Sequence, residues 1–318
     1  IPPTAQVSTA FAHTCAETQD GVYCWGSNAY GELGRGFKDQ ILTGDPIAGL
    51  PTNISRVALG RSFGCALTDT GDVWCWGQNF LGQRADPSRL SAADANQVAV
   101  PSMLGIAAAS AAACAYNANS VWCWGRNHAG VLLGGAVSTE FSATPVQVPG
   151  LPTPITSLVG DDDTFCAIAD GQAHCWGTVW DWSTDTPQYI APTTLADLPT
   201  VIDVSPIVGS AFRHNCAVST SNELFCWGAN GFGQTGSGSA GNPVASPTQV
   251  LGSYTAVATM YGASCAIAPG PPARLLCWGS YDGNVMLTPT EVSLPSPPET
   301  LISGFLDICV LLEDGTRA

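Results

Sequence analysis

The chain has 318 residues with 35 Gly, 23 Pro, 13 Cys, 45% hydrophobic and 11% charged residues, which is enough apolar material for a sizeable core and unlike a disordered tail. Its 25 acidic and 10 basic residues give a formal net charge of −15, and Lys38 is the single lysine, so neutralising a nucleic-acid backbone is excluded as its working mode. No stretch approaches the roughly 20 apolar residues needed to cross a bilayer; the Ala-rich run from Met103 to Tyr116 comes nearest and is interrupted by polar groups.

Self-similarity organises the rest of the sequence. Cys-Trp-Gly recurs with its Trp at Trp25, Trp76, Trp124, Trp176, Trp227 and Trp278, in steps of 51, 48, 52, 51 and 51. Each unit reads as short strands parted by turn residues. The second is the clearest: Ile54–Leu59 alternates as a strand, then Cys65–Thr68 and Val73–Trp76 flank Asp69-Thr70-Gly71-Asp72, a hairpin signature. A loop follows, and a fourth extended run closes most units, as at Thr144–Val148, Pro247–Val250 and Pro289–Val292. Proline at the head of such a run suits an edge strand, where a missing backbone donor costs little. The Ala-rich stretch aligns with the first strand and turn of its unit and is read by the repeat rather than by helix propensity.

Four strands per unit and about fifty residues per unit predict an all-β chain, a seven-bladed β-propeller of four-stranded antiparallel blades. The expected blades lie at roughly 1–50, 51–100, 101–150, 151–200, 201–250 and 251–295, with a partial seventh at 296–318, in one domain over 1–318. An open solenoid is the runner-up, but no polar capping repeats are visible.

Twelve cysteines form six equivalent pairs flanking one hairpin each: Cys15-Cys24, Cys65-Cys75, Cys114-Cys123, Cys166-Cys175, Cys216-Cys226 and Cys265-Cys277. Facing residues on adjacent antiparallel strands lie within disulfide reach. Zinc sites want close Cys pairs converging as four ligands, which these spacings do not provide. Disulfides are the expectation, and they imply an oxidising compartment, extracellular or at the cell surface. Cys309 opens a seventh unit whose second cysteine falls at about position 319 by the repeat. Either the native chain continues and supplies it, or Cys309 bridges to another chain.

The copy His13-Thr14-Cys15-Ala16, followed by Asp20-Gly21-Val22-Tyr23-Cys24-Trp25-Gly26-Ser27-Asn28-Ala29-Tyr30-Gly31-Glu32-Leu33-Gly34, resembles the regulator of chromosome condensation repeat family. The resemblance runs through essentially the whole chain and implies a seven-bladed propeller. The cysteine-paired form looks like the secreted bacterial branch, which shares its fold with a propeller that inhibits β-lactamases. The nuclear founder's roles on chromatin and on a small GTPase suit a disulfide-rich chain of charge −15 poorly.

In a repeat protein, functional positions are expected where the repeat breaks. The six motif Trp residues read as packing between blades, and Asn28, Asn79, Asn127 and Asn230 as turn residues. The strongest break follows Trp176-Gly177, where Thr178–Tyr189 reads as a connecting loop that adds Trp180, Asp181, Trp182 and Tyr189. Trp and Tyr are enriched at interface hot spots. Matching loops carry Tyr30, Phe80, Phe232 and Tyr281, so an aromatic rim centred on Trp180 and Trp182 is the candidate binding site. Asp161-Asp162-Asp163 lacks the alternating ligands and glycine of a calcium loop. No metal or cofactor is expected, and no nucleophile elbow, zincin helix or phosphate loop is present. The sequence thus predicts a secreted or cell-surface, non-catalytic binding propeller with a protein or glycan partner. The alternatives are a structural subunit of a larger surface assembly or an enzyme inhibitor of the β-lactamase-inhibitor kind.

Overall fold

Short runs of β-branched and aromatic residues, punctuated by Gly, Asp and Asn, leave this chain little choice but hairpins. A computed structural model describes residues 6–18, 20–34, 46–47, 49–128, 130, 132, 140–181, 186–195, 197–205, 214–281, 283–303 and 308–316, excepting the side chains of 179–181, 187 and 189. Among these residues all regular structure is β, and no helix is long and apolar enough to cross a membrane.

The strands fall into seven antiparallel sheets, each built from consecutive strands. The first holds β1 (Gln6–Thr9), β2 (His13–Thr18) and β3 (Gly21–Gly26). The second holds β4 (Ile54–Leu59), β5 (Phe63–Thr68), β6 (Val73–Gly77) and β7 (Ala92–Gln97). The third holds β8 (Gly105–Ala108), β9 (Ala112–Asn117), β10 (Ser120–Arg126) and β11 (Phe141–Gln147). The fourth holds β12 (Ile155–Asp161), β13 (Thr164–Ala169), β14 (Gln172–Asp181) and β15 (Thr186–Thr194). The fifth holds β16 (Val201–Val204), β17 (His214–Ser219), β18 (Leu224–Gly228) and β19 (Val244–Val250). The sixth holds β20 (Ala256–Met260), β21 (Ala263–Ala268), β22 (Arg274–Tyr281) and β23 (Asn284–Val292). The seventh pairs β24 (Pro298–Ser303) with β25 (Ile308–Leu312). The chain divides into two compact units: residues 1–170 with 174–178 and 189–193, and residues 171–173 with 179–188 and 194–318.

Within each blade the second strand is the most enclosed; β5, β13, β17 and β21 are buried along their whole length. A strand covered on both faces reads as a continuous apolar run, hence Cys-Ala-Leu, Cys-Ala-Ile and Cys-Ala-Val rather than alternation. The outer strand β19 is largely exposed and β7 is mostly half-buried. The six disulfides join the second and third strands with Cα–Cα of 4.0–4.1 Å, and in the first, second, third, fifth and sixth blades the two cysteines are direct register partners. Each closes a loop worth about 2–3 kcal/mol in the chain-entropy account.

The motif Trp turns away from its own disulfide and buries against the preceding blade. In the first unit, Trp76 lies among Cys15, Val22, Cys24 and Leu33, and Trp124 among Phe63, Cys65, Cys75 and Val98. In the second, Trp278 lies among Cys216, Val218, Leu224 and Cys226. Removing one indole from water is worth about 4–6 kcal/mol as an upper bound. The following glycine makes this possible. At Gly77 the chain takes φ +95° and the register with β7 shifts between Cys75 and Gly77. A Cβ there would lie 2.8 Å from backbone atoms of Ser62 and Phe63, so only glycine lets the strand bulge at this point.

Candidate binding surface

The loop after each third strand is built from its own sequence. Where the second residue after Trp-Gly is asparagine, its side chain sits inside the loop and is buried. Asn28 Oδ1 accepts the Leu33 N–H (3.0 Å), Asn79 Oδ1 that of Arg84 (3.0 Å), Asn127 Oδ1 that of Leu132 (3.0 Å) and Asn230 Oδ1 that of Thr235 (3.2 Å). A Glu or Gln later in the loop then accepts a backbone N–H: Glu32 from Tyr30 (2.6 Å), Gln83 from Leu81 (2.9 Å), Gln234 from Phe232 (2.8 Å). The carbonyl of that same Glu or Gln takes the indole N–H of the next blade, Trp76 to Glu32 at 2.7 Å, Trp124 to Gln83 at 2.9 Å and Trp278 to Gln234 at 2.8 Å. The loop is therefore a fixed bracket between blades, and side chains standing on it are held in place.

Two of the expected rim residues stand exposed on such brackets. Tyr30 is 38% and Phe80 50% exposed, and their rings meet edge to face with centroids 5.8 Å apart. Phe232 is partly buried, its ring lying against Gly262. Tyr281 is partly buried against the cluster of Cys265, Leu275, Cys277, Val310 and Leu312. Trp182 lies outside the described residues, and of Trp180, Asp181 and Tyr189 only the backbone is described.

The connecting loop expected at 178–189 is largely a hairpin: β14 runs on through Asp181 and β15 begins at Thr186. The sixth blade does the same, with β22 ending at Tyr281 and β23 beginning at Asn284. Both blades lack the bracket asparagine; Val179 and Tyr281 stand in its place. Those residues favour extended backbone and offer no side-chain amide oxygen to fold a loop around.

Sequence reasoning passed over the arginines that flank the aromatic pair. Arg61, in the β4–β5 turn, lies 4.9 Å from the ring centroid of Phe11, which is 59% exposed in the β1–β2 turn. Arg89 lies 4.3 Å from the centroid of Phe141 and donates to the Phe80 carbonyl through Nε (3.1 Å) and Nη2 (2.7 Å). Arg84 is buried and spent on the Leu90 and Asp94 carbonyls, each at 3.0 Å. The available clue was the scarcity of cations, which makes two arginines in adjacent turns of one blade conspicuous. Asp163 sits 3.9 Å from Arg126 and 3.8 Å from His128. Among the described residues no three His, Cys, Asp or Glu converge as a metal set. In the second unit a groove of about 490 Å³ is lined by Ser237, Gln249, Tyr254 and Arg274, and Arg274 is already paired with Glu291 at 3.3 Å.

Comparison with known proteins follows from this geometry. The sequence model of the regulator of chromosome condensation (RCC1) repeat matches residues 5–32, 54–83 and 209–234, and a second model of that repeat matches 19–67. The ultraviolet-B receptor UVR8 of Arabidopsis thaliana is 30% identical over 247 residues, covering 71% of this chain and 53% of its own. The BTB/POZ domain-containing protein 1 of Schizosaccharomyces pombe is 39% identical over 83 residues, 23% of this chain and 6% of its own. The chain thus spans about half the length of the first relative and a small part of the second. Among solved structures, human WBSCR16 superposes with a TM-score of 0.80 at 16% identity, covering 96% of this chain and 86% of that one. Prp20p of Saccharomyces cerevisiae superposes with 0.76 at 18%, covering 99% and 82%, and is described with its binding to Gsp1p and histones. At these identities the likeness gives the fold, a β-propeller of four-stranded blades.

Proposed function

The chain belongs to the regulator of chromosome condensation repeat family, and from that premise we propose that it is an extracellular or cell-surface, non-catalytic propeller that binds a protein partner through its inter-strand loops. Six disulfides suit an oxidising compartment. Structural neighbours bind proteins: yeast RCC1 (Prp20) has been seen bound to Kap60.

The observation that carries the reading is the exposed Tyr30–Phe80 pair on hydrogen-bonded brackets. Large rings are costly to leave in water, and rigid aromatic anchors lose little entropy on binding. Trp180, Asp181, Trp182, Tyr189, Phe232 and Tyr281 extend the proposed rim. The test is affinity capture from native surroundings with the oxidised chain. A protein should be retained by the parent and lost from a Tyr30→Ala/Phe80→Ala variant of unchanged thermal stability. Equal retention by both, or no retained protein, defeats the reading.

A further inference from the structure

If the loops bind a partner, as just proposed, the first unit carries the chemistry that selects it. In three successive blades the loop after the third strand is seated on the first turn of its own blade. Ser27 N–H donates to Ala12 O (2.8 Å), Gln78 N–H to Ser62 O (2.9 Å) and Arg126 N–H to Ala111 O (2.9 Å). The turn residues Phe11 and Arg61 therefore share one end of the unit with the loop residues Tyr30, Phe80 and Arg89. This end carries three exposed rings, Phe11, Tyr30 and Phe80, interleaved with two exposed guanidiniums.

Those guanidiniums are pre-oriented and electrostatically unspent. Each lies over an aromatic ring, and Arg89 is further tied to the Phe80 carbonyl. Among the described residues neither forms an ion pair, although the chain holds 25 acids against 10 bases. Among the described residues the other arginines of the loops at this end are committed, Arg84 to backbone carbonyls and Asp86, Arg126 toward Asp163. An arginine held flat by stacking presents a planar fork that matches an oxyanion. The hairpin turns at the opposite end of the unit carry Asp20, Asp69, Asp72 and Asp170 and no basic residue.

The flank of the basic end decides which oxyanion fits. Glu140, in the loop of the third blade, and Asp161-Asp162-Asp163, at the end of β12 and in the turn after it in the fourth, lie at this end. A nucleic-acid backbone brings a charge with every nucleotide and would run into them. Separated carboxylates would not. The geometry points to an acidic polypeptide segment, its carboxylates spaced by apolar side chains, as the ligand of this end. Carboxylates meet Arg61 and Arg89, while apolar side chains cover Phe11, Tyr30 and Phe80.

The test uses the oxidised full chain and three fluorescent probes: a peptide of alternating Glu and Leu, its Gln-for-Glu counterpart, and oligothymidine of similar length. The Glu peptide should bind, more weakly as salt rises. An Arg61→Gln/Arg89→Gln variant should lose about tenfold or more in affinity, the double Lys variant should recover only part of it, and Arg274→Gln should bind like the parent. Failure of the Glu peptide to bind, equal binding of the Gln peptide, indifference to Arg61→Gln/Arg89→Gln, or tighter binding of oligothymidine would each overturn the inference. A captured protein partner indifferent to the double Gln variant would sink this surface and leave the loop reading standing. Absence of any captured partner would sink the loop reading itself.

Discussion

Two equivalent junctions, between the first and second blades and between the fifth and sixth, solve one packing problem with different polar groups. In both, a bracket carbonyl takes the next blade's indole N–H, Trp76 to Glu32 and Trp278 to Gln234. Both also place a buried carboxyl against the backbone N–H of the next blade's inner strand, Glu17 on Val57 and Asp203 on Val257. The difference lies beside the Trp. At the second junction Ser264 Oγ donates to the Gln234 carbonyl (2.9 Å) and meets His214 Nε2 (2.8 Å). At the first, the matching residue is Gly64, and among the described residues neither ring nitrogen of buried His13 reaches hydrogen-bond geometry. The Ser264 hydroxyl thus gives the His214 ring a side-chain partner of a kind that His13 lacks, although Gln234 Nε2 beside it is itself buried without one among the described residues.

The largest expected effect is in pH dependence at the poorer junction. Burial raises the Glu17 pKa to about 7, against smaller opposing pulls from the Val57 N–H and Arg56. The folded state therefore holds a proton that the unfolded chain releases at its ordinary value, and stability falls as pH rises from about 4.5 to about 7. The loss is about 3 kcal/mol. His13 acts in the opposite sense. Its burial lowers the pKa to about 4, only partly offset by the Phe63 backbone, so stability rises with pH between about 4 and 6.5 by a similar amount. The two should nearly cancel in the parent. Urea unfolding of Glu17→Gln should expose a rise of about 3 kcal/mol over that interval, and a flat profile would refute the assignment. At the other junction burial also raises the Asp203 pKa, so Asp203→Asn should remove a fall in stability above the ordinary aspartate range.

The indole hydrogen bonds give the next contrast. Trp76→Phe leaves the Glu32 carbonyl buried without its donor, whereas Trp278→Phe leaves Gln234 still bonded to Ser264. The first should cost about 2–3 kcal/mol beyond the change in apolar area and the second about 1. Equal losses in denaturant midpoints would mean that the hydroxyl does not share the load.

These details mark how far the sequence could be read. The Cys-Trp-Gly ruler revealed the blades, the disulfide pairs and the strand boundaries near Ile54, Cys65 and Val73, because each Trp, Cys and Gly answers a contact that recurs at every junction. The bracket asparagines were legible as turn residues; that they bridge blades through a carbonyl seven residues past the Trp was not, since a backbone acceptor leaves no mark on residue type. The fourth blade's extension was visible as a break but read as a loop, although Val179 in the asparagine position argued for strand. Of the residues named from the sequence for an aromatic rim, Tyr30 and Phe80 are exposed and in ring contact, whereas Phe232 and Tyr281 are partly buried. Phe11, Arg61, Arg89 and Phe141 were missed because cation–ring contacts join residues 50 or more positions apart.

The smallest effect concerns repairing the poorer junction. Serine at position 64 looks like the cure for His13, but the Gly64 position has no room. A Cβ there would lie 2.5 Å from the Trp76 ring and 3.0 Å from Leu59 Cδ2. Both neighbours are held, Trp76 fully buried and hydrogen-bonded to Glu32. Gly64→Ser should therefore destabilise, by about 1–3 kcal/mol from overpacking less about 1 kcal/mol if the hydroxyl finds His13. Ser264→Gly removes a hydroxyl from a place already shaped around it and should cost about 1–2 kcal/mol, since His214 Nε2 and the Gln234 carbonyl both lose that contact. Calorimetry on the pair decides between the two accounts. A stabilised Gly64→Ser would mean that the first junction is short of a hydrogen bond rather than short of space, and the indole would have to have moved to admit it.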